Sequence, residues 1–183
     1  MSDTDDARLA ALAEIAGDSG LAAVLDYWNR QSREGTPPRP RDIDPVFLPP
    51  ATLPHVTLLD VLEGGEAFRI RLVGTANVAA AGRDFTGERL EAAMSGDLLA
   101  ATLARYRAAV VHRRPVLGHT EYAMPDGSHI RNLLLTLPLS SDGRDVDRLL
   151  GIFHPRSERL AQQALRNRDI LAYQRPVRSY VVL

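Results

Sequence analysis

Two apolar runs joined by a glycine pair constrain this chain more than any other feature of its sequence. The runs VTLLDVL and AFRIRLVG flank Gly64-Gly65, and two strand-like segments separated by such a turn predict an antiparallel hairpin. In the second run apolar side chains alternate with arginines, in the order Phe68, Arg69, Ile70, Arg71 and Leu72. We therefore expect one face of the hairpin to be buried, with all three apolar side chains on it, and the other to contact water.

The segments after the hairpin supply a helical layer and the rest of a sheet. Residues 75–82, TANVAAAG, predict short helical turns, and residues 95–114 predict a longer helix that Ser95 caps and Pro115 ends. Three further strand candidates follow, VLGHTEYAM, HIRNLLLTLPL and RLLGIFH, with turn residues between them. Because strands joined by tight turns run antiparallel, this order predicts a mainly antiparallel sheet with the helices over one face.

The chain divides into three parts by composition. Residues 1–45 predict two helices, the second capped by Ser19, and a proline-rich linker that lies against the domain surface. Residues 46–156 hold the sheet and its helices. Residues 157–183 predict a helix that Ser157 opens, followed by a tail whose last residues, RSYVVL, allow a short strand. In the second N-terminal helix Leu21, Leu25 and Trp28 form an apolar stripe, which we expect to pack on a partner protein or on the outer face of the sheet.

Composition excludes several classes of function. The chain has no cysteine, so it has no disulfide, thiolate nucleophile, Cys-ligated zinc or iron–sulfur cluster. Its net charge is −1, which gives no overall field for nucleic acid or anionic lipid. It has no apolar run of transmembrane length, and its first residues are acidic rather than signal-like. We expect a cytoplasmic protein that binds neither nucleic acid nor membrane.

Five short motifs between Leu21 and His154 occur in an order that is typical of one fold family. They are Asp26-Tyr27-Trp28, Arg41-Asp42-Ile43-Asp44-Pro45, Leu72-Val73-Gly74-Thr75, Gly82-Arg83-Asp84 with Thr86-Gly87, and Pro138-Leu139. With them the chain resembles a PAS domain, and more closely a bacterial family of compact, often stand-alone PAS-like proteins. The resemblance implies an α+β fold with a five-stranded antiparallel sheet and helices on one face. It also implies a small ligand or cofactor between sheet and helices, a homodimer, and contacts with signalling proteins.

No cofactor is identified by the sequence. A photoreactive flavin site and a thioester-linked chromophore both require a cysteine, and there is none. Haem requires an axial ligand, for which His112 and His119 are the candidates. The arginines and proline that follow His112 favour a solvated helix end instead, and no histidine spacing predicts another metal site.

A small-molecule pocket is the leading positive hypothesis. Its lining is predicted to come from the long helix, the preceding loop and the next strand, and Asn132 would orient the ligand. The proposed lining residues are Phe85, Met94, Leu99, Leu103, Tyr106 and Tyr122. The alternative is that these side chains fill a packed core, which any domain of this size needs.

Other charged positions carry weaker alternatives. Arg83 could bind an anion, or it could pair with Asp84 to hold the turn. Asp42 and Asp44 could act in acid–base chemistry, although their setting favours turn formation.

These observations predict a non-enzymatic sensory or regulatory module that acts by binding. The alternatives are a small α+β enzyme similar to the ketosteroid-isomerase group and a ligand-free interaction scaffold. The enzyme would need a strand carboxylate with a shifted pKa, and Asp60 and Glu121 are the candidates.

Overall fold

The computed structural model describes residues 3–123, 129–155 and 174–183. Its helices are α1 (Asp3–Ala16), α2 (Ser19–Gln31), α3 (Thr75–Ala81), α4 (Leu90–Ala93) and α5 (Gly96–His112). Its strands are β1 (Val56–Leu62), β2 (Ala67–Val73), β3 (Val116–Ala123), β4 (His129–Leu139), β5 (Arg148–Pro155) and β6 (Gln174–Val182). None of the helices within these ranges has the length and apolarity that crossing a bilayer requires.

The strands form one antiparallel sheet in the order β2-β1-β5-β4-β3-β6. The α+β class and the antiparallel sheet were predicted correctly, but the described sheet has six strands rather than five. The sixth comes from the C-terminal tail, where Tyr180 pairs with Gly118 and Val182 with Val116. Most of the helix predicted from Ser157 onward lies outside the described residues.

The hairpin of β1 and β2 contains one residue that the alternating pattern did not reveal. The register shifts at Arg71, which has no partner across the hairpin, so that Leu72 opposes Leu58 and Ile70 opposes the next residue of β1. An extra residue in one strand is a β-bulge, and it reverses the alternation beyond it. Phe68 and Ile70 are buried as predicted, whereas Leu72 is 44% exposed. The prediction of a buried Leu72 was therefore wrong.

The two N-terminal helices cover the outer face of the sheet, so that helices lie on both faces. In α2 the side chains of Leu21, Leu25 and Trp28 are buried in one cluster with alternate leucines of β4. The Trp28 indole Nε1 donates to the carbonyl oxygen of Pro138 at 2.9 Å. The stripe thus packs on the sheet and not on a partner. The side chain that caps α2 belongs to Asp18, whose Oδ1 accepts two backbone N–H groups, and not to Ser19 as predicted.

The inner face of the sheet carries α3, α4 and α5. Ser95 precedes α5 as predicted, but its side chain makes no capping hydrogen bond to the helix. Thr102, Arg105, Tyr106 and Ala109 are buried, while Leu103, which was predicted to line the pocket, is only half-buried. The Tyr106 ring meets Phe68 edge-on, with 5.3 Å between ring centroids.

The predicted linker is compact and follows the surface of the sheet. Together with the residues that follow it, the linker forms three short 3₁₀ turns, Pro40–Asp42, Pro45–Phe47 and Pro50–His55, and the last of them lies beyond the predicted linker. The last of these turns leads directly into β1. The carbonyl oxygen of Pro38 accepts the Ser140 N–H at 2.9 Å, which attaches the linker to the end of β4.

Candidate functional site

A cavity of about 180 Å³ lies between the inner face of the sheet and helices α3, α4 and α5. This is close to the volume of about 150 Å³ that holds a benzene molecule in an apolar core. It is smaller than the sites of drug-sized ligands, which begin at about 300 Å³. One part of the wall is apolar and includes Ile70, Val73, Phe85, Leu90, Met94 and Leu98. The cavity therefore suits a compact molecule that is largely apolar.

A buried arginine forms part of the opposite wall. Arg105 of α5 is 8% exposed, and its Nε donates to the Thr136 hydroxyl of β4 at 3.3 Å. No carboxylate lies within 4.0 Å of its guanidinium among the described residues. Burying a charge without a partner of opposite sign is costly. The arginine is thus a cation whose counter-charge is not supplied by the described part of the chain.

Gly118 of β3 makes room for this arginine. A Cβ atom built on Gly118 would lie 2.7 Å from Arg105 Cδ, closer than real side chains approach. A glycine inside a strand commonly marks such a close approach of another group. The glycine in the run VLGHTEYAM is the sequence signal for this close approach, and Arg105 was not among the predicted site residues.

Two further polar atoms lie on the same face of the sheet, next to each other. Thr120 of β3 lines the cavity, and it is paired across the strands with Asn132 of β4. The Thr120 hydroxyl and the Asn132 Oδ1 are both buried, and neither has a hydrogen-bond partner within the described part of the chain. Buried polar atoms are seldom left without hydrogen-bond partners. This end of the cavity therefore presents polar atoms that a bound molecule could pair with.

At the opposite edge of the cavity the side-chain amide of Asn77 has its hydrogen-bond partners within the protein. Asn77 of α3 donates from Nδ2 to the backbone carbonyl of His55 at 3.0 Å and to the Thr57 hydroxyl at 3.2 Å. These bonds attach α3 to the start of β1. Asn77 is therefore explained by the fold.

The turn after α3 positions the aromatic wall. Gly82 and Gly87 have φ angles of 75° and 90°, as the sequence predicted for the turns. Arg83 pairs with Glu88 at 2.6 Å and lies over the Phe85 ring, 4.0 Å from its centroid. The predicted pairing of Arg83 with Asp84 is wrong.

Asp84 caps its own turn instead. It accepts from the hydroxyl and the N–H of Thr86 at 2.7 and 2.8 Å. These two hydrogen bonds, the side-chain one above all, lower the pKa of the Asp84 carboxyl.

The predicted ligand-binding residues are divided between the cavity and its surroundings. Phe85, Met94 and Tyr106 line the cavity. Leu99 and Leu103 are partly buried in the neighbouring apolar cluster. The residues that precede them in α5, Leu98 and Thr102, line the cavity instead. Asn132 is buried beside Thr120, and the side chain of Tyr122 lies outside the described part. A role for any of them in binding stays a prediction.

The haem candidates lie away from the cavity. His112 is exposed at the end of α5. His119 is on the outer face of the sheet, where its Nε2 is 2.7 Å from a Glu14 carboxylate oxygen of α1. Within the described residues no group of three or more His, Asp or Glu side chains is placed to hold a metal ion.

The candidate acid–base residues are also placed elsewhere. Asp60 is buried on the outer face and contacts the guanidinium groups of Arg69, Arg71 and Arg148 at 3.0, 3.7 and 3.3 Å. The side chain of Glu121 is outside the described residues. Asp44 caps the Pro45–Phe47 turn through the Val46 N–H at 2.9 Å. No aspartate or glutamate is among the described side chains that line the cavity.

Comparison with known proteins gives a family and a set of distant structures. The model of the PAS domain family matches residues 18–154. No curated protein matches the chain. Similar solved structures include a Rhodobacter sphaeroides LOV protein, with 21% identity over 60% of this chain and 64% of that one, at a TM-score of 0.42. The chain thus spans less than two thirds of that protein's length.

Two other solved structures are similar at the same low level. The dark structure of the blue-light photoreceptor Aureochrome1 LOV has 15% identity over 66% of this chain and 88% of its own, with a TM-score of 0.43. A domain of an HTR-like protein from Haloarcula marismortui has 21% identity over 56% and 96%, with a TM-score of 0.39. Likeness at this level does not extend to function.

Proposed function

The chain belongs to the PAS domain family, and from this premise we propose that it is a sensory module that binds a small molecule between its sheet and its inner helices. The observation that carries the proposal is the cavity of about 180 Å³, which combines a mostly apolar wall with a few polar groups. Concave sites with this composition are typical of ligand binding.

The proposed activity is binding rather than catalysis. A pocket acid or base is what a small α+β enzyme would need, and Asp60, one of the two candidates, is paired with arginines on the outer face. A module that only binds requires a separate protein to carry the signal onward. We therefore include a signalling partner and a homodimer in the proposal, with a cytoplasmic location.

A thermal-shift screen tests the ligand-binding function. Purified protein is heated with metabolites, fatty acids and nucleotides, one at a time. A ligand at about 100 times its Kd stabilises the folded state by about 2.7 kcal/mol. For a chain of this size that raises Tm by about 5–10 °C.

A pair of variants of α3 locates the binding site. Ala81→Leu adds side-chain volume at a cavity-lining position, whereas Ala79→Leu adds the same volume at an exposed position of the same helix. The Tm shift should be lost in the first variant and kept in the second. If no compound stabilises the wild-type protein, or if a ligand raises Tm equally in both variants, the proposal of binding in this cavity is wrong. A ligand-free interaction scaffold is then the favoured function.

The homodimer has its own test. Light scattering after size-exclusion chromatography gives the mass in solution, and a 20.1 kDa species at micromolar concentration would refute the dimer. A pull-down with and without residues 1–35 then asks whether the N-terminal helices are needed for partner contact. Because the apolar stripe of α2 is buried against the sheet, circular dichroism first checks that the shorter chain folds; equal recovery by a folded shorter chain would count against these helices as the contact.

A further inference from the structure

The cavity has two chemically different ends. Phe85, Leu90 and Met94 belong to an apolar end. Arg105 and Thr120, with Asn132 beside them, belong to a polar end on β3, β4 and α5. A ligand that satisfies both ends must itself be amphiphilic, with a compact apolar body and one polar group.

The charge at the polar end determines the sign of that group. The Arg105 guanidinium carries five N–H donors and no acceptor, and among the described residues it makes one hydrogen bond, to the Thr136 hydroxyl. A guanidinium that is 8% exposed and has no carboxylate beside it among the described residues is best stabilised by an anion. Carboxylates suit it because their two oxygens match the planar fork of N–H groups.

The Thr120 hydroxyl lies close enough to Arg105 to contact the same anion. Gly118, against which the Arg105 side chain lies, is two residues before Thr120 on the same strand face. Residues two apart in a strand are separated by about 6–7 Å, a distance that a carboxylate can bridge between two donors. The buried Thr120 hydroxyl has no hydrogen-bond partner among the described residues, and it can donate to the ligand.

We infer that the ligand is a small carboxylic acid of about one ring in size, whose carboxylate is bound by Arg105 and Thr120 and whose apolar body lies against Phe85, Leu90 and Met94. The inference rests on the proposed ligand-binding function and narrows it to one chemical class. The size follows from the volume of about 180 Å³, which is near that of a benzene-binding cavity.

The experiment compares each acid with its neutral amide, because the two have nearly the same shape and differ in charge. The probes are benzoate, phenylacetate and hexanoate with benzamide, phenylacetamide and hexanamide, titrated calorimetrically into the full chain in low-chloride buffer. At least one acid should bind at least about 10-fold more tightly than its amide, as loss of a charged hydrogen bond predicts.

Three variants assign the preference to residues. Arg105→Met keeps the length of the side chain without its charge and should weaken acid binding about 10- to 100-fold. Thr120→Val keeps the shape of the side chain and should weaken acid binding while leaving Tm of the free protein unchanged or higher, since an unpaired buried hydroxyl is removed. Arg107→Met is the matched control on α5, because Arg107 is half exposed and pairs with Glu66; it should bind like the wild type.

The outcomes separate this inference from the function on which it rests. If neutral compounds bind the wild type as tightly as their acids, or if Arg105→Met keeps the preference for acids, the inference is wrong while ligand binding in the cavity stands. If the screen described above finds neutral ligands and no acid binds, the same conclusion follows. If no compound of any kind binds, both the inference and the proposed function are wrong.

Discussion

Replacement of Gly74 by alanine should destabilise the domain strongly, although its backbone conformation suits any residue. Gly74 joins β2 to α3, with φ −65° and ψ 152°, and its N–H donates to the Val56 carbonyl at 2.7 Å. A Cβ atom there would lie 2.3 Å from the Pro54 carbonyl oxygen and 2.9 Å from the Val56 oxygen. Both obstacles are backbone atoms, so no side-chain rotation relieves the overlap.

The magnitude follows from how far the chain must move. To restore even a 3.0 Å contact, the Pro54 oxygen must retreat by at least 0.7 Å from the 2.3 Å position, which displaces the turn before β1. Overpacking that forces the backbone to shift costs about 1–3 kcal/mol. A gain of about 0.4–1 kcal/mol from the stiffer unfolded chain offsets it only in part. We expect a net loss of about 2 kcal/mol, or a Tm lower by about 4–8 °C.

Urea unfolding followed by circular dichroism measures the effect, with Gly151→Ala as the matched control. Gly151 lies inside β5, and a Cβ there would be 3.6 Å from the Thr57 oxygen, an ordinary contact. The control should stay within about 0.5 kcal/mol of the wild type. A Gly74→Ala protein as stable as the control would show that steric exclusion is not why glycine occupies the β2–α3 junction.

Three further predictions concern the outer face and the turn after α3. Trp28→Phe removes the N–H that the Pro138 carbonyl accepts and should lower the free energy of unfolding by about 1–3 kcal/mol, measured by urea unfolding; an unchanged midpoint would mean that the bond contributes nothing. Asp60→Asn removes the negative charge among three arginines and should lower stability by about 1–2 kcal/mol, reduced by the exposure of those arginines; because this is an ionic effect, 1 M salt should shrink the difference between the two proteins. The Thr86 hydrogen bonds lower the pKa of Asp84 in the folded state, so their contribution is present above the ordinary pKa of about 3.9 and is lost as pH falls through the lower folded value. Asp84→Asn should therefore lower the free energy of unfolding near pH 7 and flatten the stability profile in acid, so that the two proteins become equally stable at low pH; a profile that keeps the wild-type slope would contradict this assignment.

The sequence predicted the elements of this fold better than it predicted which faces they bury. The hairpin at Gly64-Gly65 and the helix after Ser95 were correct, because turn residues and apolar periodicity are local signals. The error at Leu72 came from the bulge at Arg71, which the alternating pattern cannot reveal since both sides of the bulge alternate normally. The sixth strand depends on pairing with β3, a contact between distant parts of the chain.

At the polar end of the cavity Asn132 was predicted, whereas Arg105 was missed for a physical reason. A helix face is usually read from its apolar residues, and on that criterion Thr102 and Arg105 belong to the solvent side. The structure turns them toward the sheet, where the absence of a side chain at Gly118 gives the arginine space. The aromatic wall at Phe85 and Tyr106 could be predicted, since large apolar side chains follow the general rule.

Because α2 packs on the outer face, this helix competes with any partner protein that binds the same leucines of β4. Such a partner can bind only molecules in which α2 is detached from the sheet. Its apparent affinity is therefore the intrinsic affinity multiplied by the fraction of molecules in that state. With about one molecule in a hundred undocked, association weakens about 100-fold. The strength of the Trp28 anchor can therefore tune recognition at this face without altering a single atom of the surface that is recognised.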